Sequence, residues 1–552
     1  MTTTLEESWR GRLVYDGTRT PLKTALFLIL VLTWMLPGLV GHDPWKDEAP
    51  AFGAVVEMLR SGDWLTFRIA GEPYVERAPL FLWVAALFAK AFGGFLPLHD
   101  AARLAAGAFM AGTLGFLSLA CLELMGERAV RLGVLLFVGC LGLLIRAHEM
   151  TTDLAGLFGI AGALYGLALA RRRPAMGGAV TGVALGLAFL GDGFLPLAMM
   201  VMLMALLPAA SPLWRTRSYG LTVGIAFACA APLVAAWPLA IWSVAPEWTR
   251  AWLDAAAASR WSDRSGDGGL GLLYVVRILP WYAWPAWPLA AWALWRSRRT
   301  LAARTELLLP LVAFCAFFIV ASVFGEARDV NALPVLLPLA LLGVAELDTL
   351  PRGAASALDW FGVTTFLLFA GALWLAWTGA VSGKPDFAVA WLTREVPDFK
   401  YRFNFVAFAL AALLTLIWLV VVARSLRSTR RAVVNWTAGI AMIWMLMMTL
   451  GAPLVDQARS YRALAARVAQ NIPPGRACVA RKNVGDAQRA LLDYFAKLTT
   501  VREDAPEAAR CDVLLVQAPP TRVPRIDAPW VEIWRGARPG DRHELFVVYQ
   551  RL

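Results

Sequence analysis

The feature that most constrains this chain is a succession of apolar runs of about 17 to 24 residues, some with no charge inside them. Segments 25–40 and 361–381 are examples. Such a run has no polar face to turn toward water, so it does not read as an amphipathic helix of a soluble protein. As a helix rising 1.5 Å per residue it spans about 30 Å of hydrocarbon and satisfies its own backbone hydrogen bonds in lipid. Composition agrees, with 59% hydrophobic and 17% charged residues.

The pattern predicts an all-α polytopic membrane protein of about 13 transmembrane helices, with a small C-terminal α/β domain. Spans are expected near 22–40, 102–124, 130–146, 153–170, 175–190, 194–208, 219–242, 272–294, 307–324, 331–347, 361–381, 404–423 and 433–451. A polar head with Arg10, Arg12, Arg19 and Lys23 precedes the first run, with no small-residue cleavage site after it, and reads as cytoplasmic. Alternation then places Arg128 and Arg131, Arg171 to Arg173, Arg215 and Arg217, the Arg296–Arg304 cluster, and Arg424, Arg427, Arg430 and Arg431 on the cytoplasmic side. The net charge of +12 is thereby read as positive-inside topology of a bacterial inner membrane protein rather than nucleic-acid binding.

This divides the chain into a membrane domain, 1–454, with a long outer loop at 41–101, and a periplasmic α/β domain, 455–552. Within the loop, 48–59 and 79–92 have helical apolar spacing but are too short to span, so they read as amphipathic juxtamembrane helices. The tail predicts helices at 456–469 and 487–497 and strands at 477–480, 513–517, 530–534 and 545–549. Cys121, Cys140, Cys229 and Cys315 fall inside spans as inert apolar residues, whereas Cys478 and Cys511 form the only pair in the tail and are expected to form a disulfide.

The topology assigns Asp47, Glu48, Glu76, Arg77, Arg146, Glu149, Asp153, Asp192, Glu326, Arg328 and Asp329 to one outer face. Charges at membrane level are costly unless they pair or line a watery cavity, so their convergence points to a polar site there. His42, His99 and His148 lie on the same side without a dedicated ligand spacing, which leaves a divalent ion and a metal-free site both open. Tryptophans between Trp237 and Trp287, Trp261 among them, read as interfacial anchors. Asp192, between two glycines, reads as a turn residue.

Three stretches carry a resemblance: Asp47-Glu48-Ala49, Leu59-Arg60-Ser61-Gly62-Asp63-Trp64, and Gly71 to Leu80 with the core Tyr74-Val75-Glu76-Arg77-Ala78-Pro79. Together with Ala102-Arg103-Leu104 and Thr152-Asp153-Leu154, the chain resembles bacterial polyprenyl-phosphate-sugar glycosyltransferases of the GT-C fold. These include the aminoarabinose transferases that modify lipid A and are similar to protein O-mannosyltransferases. The resemblance implies sugar transfer from an undecaprenyl-phosphate-linked donor to lipid A or another envelope glycan or protein. It implies that Asp47 acts at the reacting centre, with Asp153 as the acidic residue of the second outer loop. Glu76 corresponds to the acidic residue of a Glu-Lys-Pro-Pro motif tied to metal or donor binding, a role Glu48 shares, and Arg328 to a basic residue before the tenth span. Arg77 and Ala78 replace the Lys and the first Pro of that motif.

The chemistry leads to the same residues. Displacing a polyprenyl phosphate from an anomeric carbon builds charge on the leaving group, which Arg77, Arg146 or Arg328 can meet. A carboxylate opposite, Asp47, can take the proton of an acceptor hydroxyl or orient an acceptor phosphate that is already ionised, and a single displacement inverts the anomeric centre. A polyprenyl-lipid flippase or transporter is the competing reading, and would require ionisable groups at mid-depth.

Overall fold

The computed structural model describes residues 21–258, 271–325, 327–397, 399–424, 428–473, 478–527 and 529–552. Arg10, Arg12, Arg19, Trp261, Glu326 and Arg427 lie outside the described residues. Among those described, eight helices are long and apolar enough to cross a membrane: Leu98–Met125, Asp153–Ala170, Pro174–Asp192, Arg217–Val244, Thr305–Phe324, Arg352–Ser382, Phe405–Arg424 and the stretch Thr429–Asn471. Five further apolar helices are shorter: Leu22–Met35, Leu80–Phe92, Phe194–Ala210, Leu272–Tyr282 and Asp329–Ala345. Leu368, Phe369, Val406 and Leu416 stand exposed on their helices, as a multi-pass membrane architecture requires of its lipid-facing surface.

Two of the expected spans are not continuous helices. The run 130–146 breaks after Val138, and 272–294 breaks after Tyr282. The breaks dock on each other: Leu141 N donates to Trp284 O at 3.2 Å and Gly142 N to Tyr282 O at 2.9 Å. Trp436 Nε1 caps Gly139 O at 2.8 Å. Irregular backbone inside a bundle persists only where protein groups satisfy it, and here the two irregular segments satisfy one another. Gly142 makes this possible, since a Cβ there would sit 2.5 Å from the Tyr282 ring.

Small residues also set the closest helix contacts. Between Asp153–Ala170 and Pro174–Asp192, a Cβ on Gly159 would lie 2.4 Å from Ala188 N, so the two backbones run in direct contact. The turn after Asp192 is made by Gly193 at φ 73°.

The loop after the first helix folds onto the bundle. The juxtamembrane helix Ala49–Ser61 begins with Pro50 in its first turn and stops at Gly62, which is left-handed at φ 76° and returns its N–H to Met58 O. Asp63 then accepts from Leu65 N and Thr66 N, turning the chain into a hairpin of β1, Arg68–Ile69, and β2, Glu72–Pro73. Ala70 and Gly71, both at positive φ, make its two-residue turn. The helix does not lie open at the membrane surface: Ala49, Phe52, Val55 and Met58 are buried, and the tail helix Asp486–Ala496 packs on it, with Ala490 against Gly53.

In the tail, strands β3 (Val479–Lys482), β4 (Val501–Arg502), β5 (Val513–Ala518), β6 (Trp530–Gly536) and β7 (Leu545–Arg551) form one mixed sheet in the order β4-β3-β5-β7-β6. β3 is parallel to β4 and β5, while β7 is antiparallel to β5 and β6. Cys478 and Cys511 are joined as a disulfide, their Cα atoms 4.8 Å apart. The membrane helix Thr429–Leu446 runs through a π turn, Met447–Gly451, into Ala452–Arg459, so the tail leaves the bundle without a flexible linker.

Ion pairs seat the tail on the loop. Arg462 clamps Asp43, with Nε at 2.9 Å from Oδ2, and Ser460 donates to the same carboxylate. Lys46 pairs with Glu544, which also accepts from Tyr461 OH at 2.6 Å. Glu72 pairs with Arg481 and Arg489. Burial works to raise the Asp43, Glu72 and Glu544 carboxyls, but these cationic and hydrogen-bonding partners outweigh it and hold all three below their ordinary values. A depressed carboxyl contributes stability that is full above its unfolded value, about 4, and is lost as pH falls through the folded one. Hydrogen exchange of the 43–46 loop and the sheet is expected to stay slow at neutral pH and to accelerate below about pH 4, with Arg462→Ala showing the faster exchange already at pH 7.

Candidate active site

The site is built on a buried arginine. Arg103, near the start of Leu98–Met125, is fully enclosed and donates from Nε to Glu48 Oε1 at 2.8 Å, from Nη2 to Glu48 Oε2 at 3.1 Å and from Nη1 to Asp100 Oδ1 at 2.8 Å. Glu48 has no oxygen to spare, since Trp45 N and Met150 N also donate to it at 3.1 and 3.0 Å. The second Asp100 oxygen holds Gly41 N at 2.9 Å. One charge pair thus fixes the segment that carries Asp47 and the backbone beside Glu149. Glu48 is therefore a framework residue, not the metal- or donor-facing carboxylate expected from sequence: it is completely buried and saturated.

Beside it, Arg146 gathers three carboxylates. Its Nη1 donates to Glu149 Oε2 at 2.6 Å and to Asp47 Oδ2 at 3.0 Å, and its Nε to Asp329 Oδ2 at 3.0 Å. The three acids differ in environment: Asp47 is 58% exposed, Asp329 27% and Glu149 only 5%. Burial pushes the Glu149 carboxyl up to about 7, with Arg146 opposing the rise and Glu48 and Asp47 adding to it.

A second group stands where the hairpin places Tyr74 to Arg77. Tyr74 N donates to Phe67 O at 2.8 Å and ties this strap to β1. Arg77 lies 4.0 Å from Asp192 and within electrostatic reach of Asp153 and Tyr74, so Asp192 belongs to a charge cluster as well as ending a helix. Asp153, buried at the start of its helix, accepts from Thr151 Oγ1. Between the groups sits Tyr282, whose buried hydroxyl has no hydrogen-bond partner among the described residues and feels Asp329, Arg146 and Asp153. Glu76 is exposed and makes no hydrogen bond or ion pair among the described residues, and Arg328 is exposed near Tyr274. Trp237 and Trp252 are buried and, with Trp248, line a narrow cleft with Phe67, Tyr74 and Arg77, so these three pack inside the protein, whereas Trp242, Trp281 and Trp287 are exposed.

The acids do not present a metal-ligand set. Asp47, Glu149 and Asp329 converge on a guanidinium, and both ring nitrogens of His42 and of His148 lie within 3.1 Å of backbone carbonyls. Among the described residues no group of three or more His, Cys, Asp or Glu side chains could hold a metal ion.

No family model and no curated protein matches the sequence. Solved structures do match the architecture. ArnT from Cupriavidus metallidurans bound to undecaprenyl phosphate superposes with a TM-score of 0.68 at 18% identity, covering 96% of this chain and 98% of that one. Its apo form gives 0.65, also at 18% identity, over 95% and 97%. The chain has the GT-C fold. An oligosaccharyltransferase from Archaeoglobus fulgidus in its apo form reaches 0.50 at 13% identity, covering 90% of this chain and 66% of that one. The GT-C fold therefore accounts for the helical bundle, the loop helices and the tail together.

Sequence reasoning picked out Arg103 only as part of a motif and gave Glu149 no role. A charged residue at the head of an apolar helix, with Asp100 one turn earlier, was the available signal for the buried pair. Removing one partner leaves a buried charge unpaired, which costs about 3–5 kcal/mol. Arg103→Met is expected to lower the melting temperature of the detergent-solubilised protein by more than any single change at Asp47, Glu76 or Arg328, as read by intrinsic tryptophan fluorescence.

Proposed function

We propose that this protein is a glycosyltransferase that moves a sugar from an undecaprenyl-phosphate-linked donor to an envelope acceptor such as lipid A, with inversion. The observation that carries this reading is the Asp47–Arg146 contact: an exposed carboxylate 3.0 Å from a cation, in the bundle's charged cluster. The reaction needs both. A lipid phosphate leaving the anomeric carbon is held by a guanidinium in bidentate fashion, and the acceptor hydroxyl facing the carbon gives its proton to the carboxylate. In the balanced step the acceptor oxygen forms its bond to C1 as the C1–O bond to phosphate breaks, and the acceptor proton passes to Asp47.

The other residues take supporting roles. Arg77 and the exposed Arg328 add positive charge for the donor phosphate, and Asp153 and Asp192 orient Arg77. Glu76, exposed and without an ion pair among the described residues, is available to the donor sugar. The undecaprenyl phosphate seen with ArnT supports a polyprenyl donor in the same architecture. The active face and tail are placed in the periplasm, with a cytoplasmic N-terminus. The arginine distribution supports this orientation, and the tail's disulfide fits an oxidising compartment.

Purified protein is incubated with undecaprenyl-phosphate sugars and outer-membrane lipid, and the lipids are read by mass spectrometry. Native protein is expected to add one sugar mass to the acceptor, and Asp47→Asn to slow this by about 10²–10⁴ with an unchanged melting temperature. Movement of polyprenyl lipid across vesicles without any transfer would replace this reading by transport.

A further inference from the structure

Arg146 carries one positive charge and holds three carboxylates, so with all three ionised this group of four side chains has a net charge of −2. Resting on the glycosyltransferase reading, a bidentate grip on the donor phosphate needs two guanidinium nitrogens; Nη2 of Arg146 makes no bond among the described residues, but Nε and Nη1 are both taken, so one carboxylate must give way. Asp47 and Asp329 are partly exposed, and water can solvate either of them as an anion. Glu149 is enclosed, shares the Nη1 nitrogen with Asp47, and if released while charged would be left as a buried anion.

We propose that Glu149 is a positioning residue that yields Arg146 to the donor phosphate by taking up a proton as the donor binds. The proton comes from solvent, the carboxylate becomes a neutral carboxylic acid, and the phosphate oxygen replaces the Glu149 oxygen on the guanidinium. The cluster's charge is then unchanged: one anion leaves by protonation and one arrives as phosphate. The buried acid's displaced titration, to about 7, makes this uptake inexpensive near neutral pH.

The groups facing Glu149 are Arg146, Asp47 and Glu48, with Asp329 on the far side of Arg146 and Arg103 behind Glu48. His148 and His42 are nearby, their rings held on the carbonyls of Trp34 and Leu144, and of Gly38 and Asp43. A substitution at Glu149 alone separates its titration from theirs. Glu149→Gln keeps the shape and removes the charge at every pH, whereas Glu149→Asp keeps a titrating group on a shorter arm.

The experiment measures binding of an undecaprenyl phosphodiester, whose headgroup keeps a single charge from pH 5.5 to 8.5, to the full chain in detergent by calorimetry in two buffers of different ionisation enthalpy. Native protein is expected to take up close to one proton per ligand above pH 7, and its affinity to fall by up to about tenfold per pH unit there. Glu149→Gln is expected to bind with little pH dependence and no proton uptake, and Glu149→Asp to restore part of both. The same proton uptake in native protein and Glu149→Gln overturns the proposal, as does pH-independent binding by the native protein, and both leave the donor reading of the site intact. Folded native protein that binds no phosphodiester at any pH removes the donor reading itself, and the proposal with it.

Discussion

The Glu48–Arg103 pair is the interaction on which the rest of the polar architecture hangs. Two charges removed from water are tolerated only with complete hydrogen bonding, and here every oxygen of Glu48 and every nitrogen of Arg103 is used. Those bonds reach the outer loop at Gly41 to Trp45, the start of a long membrane helix and the backbone at Met150. Asp47 and Glu149 are therefore presented from two segments far apart in sequence but locked to a common point. Such a framework holds a cation and a carboxylate in register.

Charge at this site is arranged by contrast. Asp47 is solvated and Glu149 enclosed, yet both touch one nitrogen of Arg146. Burial raises the proton affinity of Glu149 on a cation that it shares with the solvated Asp47. Arg77, on its hairpin strap, contributes a second cation offset by Asp192 and Asp153. The tail domain adds no side chain to the Arg146 cluster among the described residues but fixes the loop that does, through Arg462 to Asp43 and Glu544 to Lys46.

Much of this was legible beforehand. Apolar runs marked the helices because hydrocarbon demands length and lack of charge, both of which are local properties. Tail strands at 513–517, 530–534 and 545–549 emerged from short apolar runs and stand within β5, β6 and β7. Asp47, Arg146, Asp153 and Arg77 were recognised because charges at membrane level are rare. Less visible were the helix breaks at Gly139–Gly142 and after Tyr282, since hydropathy does not register a kink whose backbone groups are satisfied by another kink.

Sequence by itself determined the membrane character, the approximate helix positions and the α/β tail, because each depends on composition within a short window. Only the tertiary structure decided what the ionisable residues do. Glu48 and Asp47 are adjacent in sequence and chemically alike, yet one is sealed against Arg103 and the other opens to solvent beside Arg146. Glu149 acquires its character from burial and from an arginine one turn away. Burial and partnership are set largely by segments distant in sequence, 55 positions apart for Glu48 and Arg103 and 183 for Arg146 and Asp329, and no local reading of the chain contains that information.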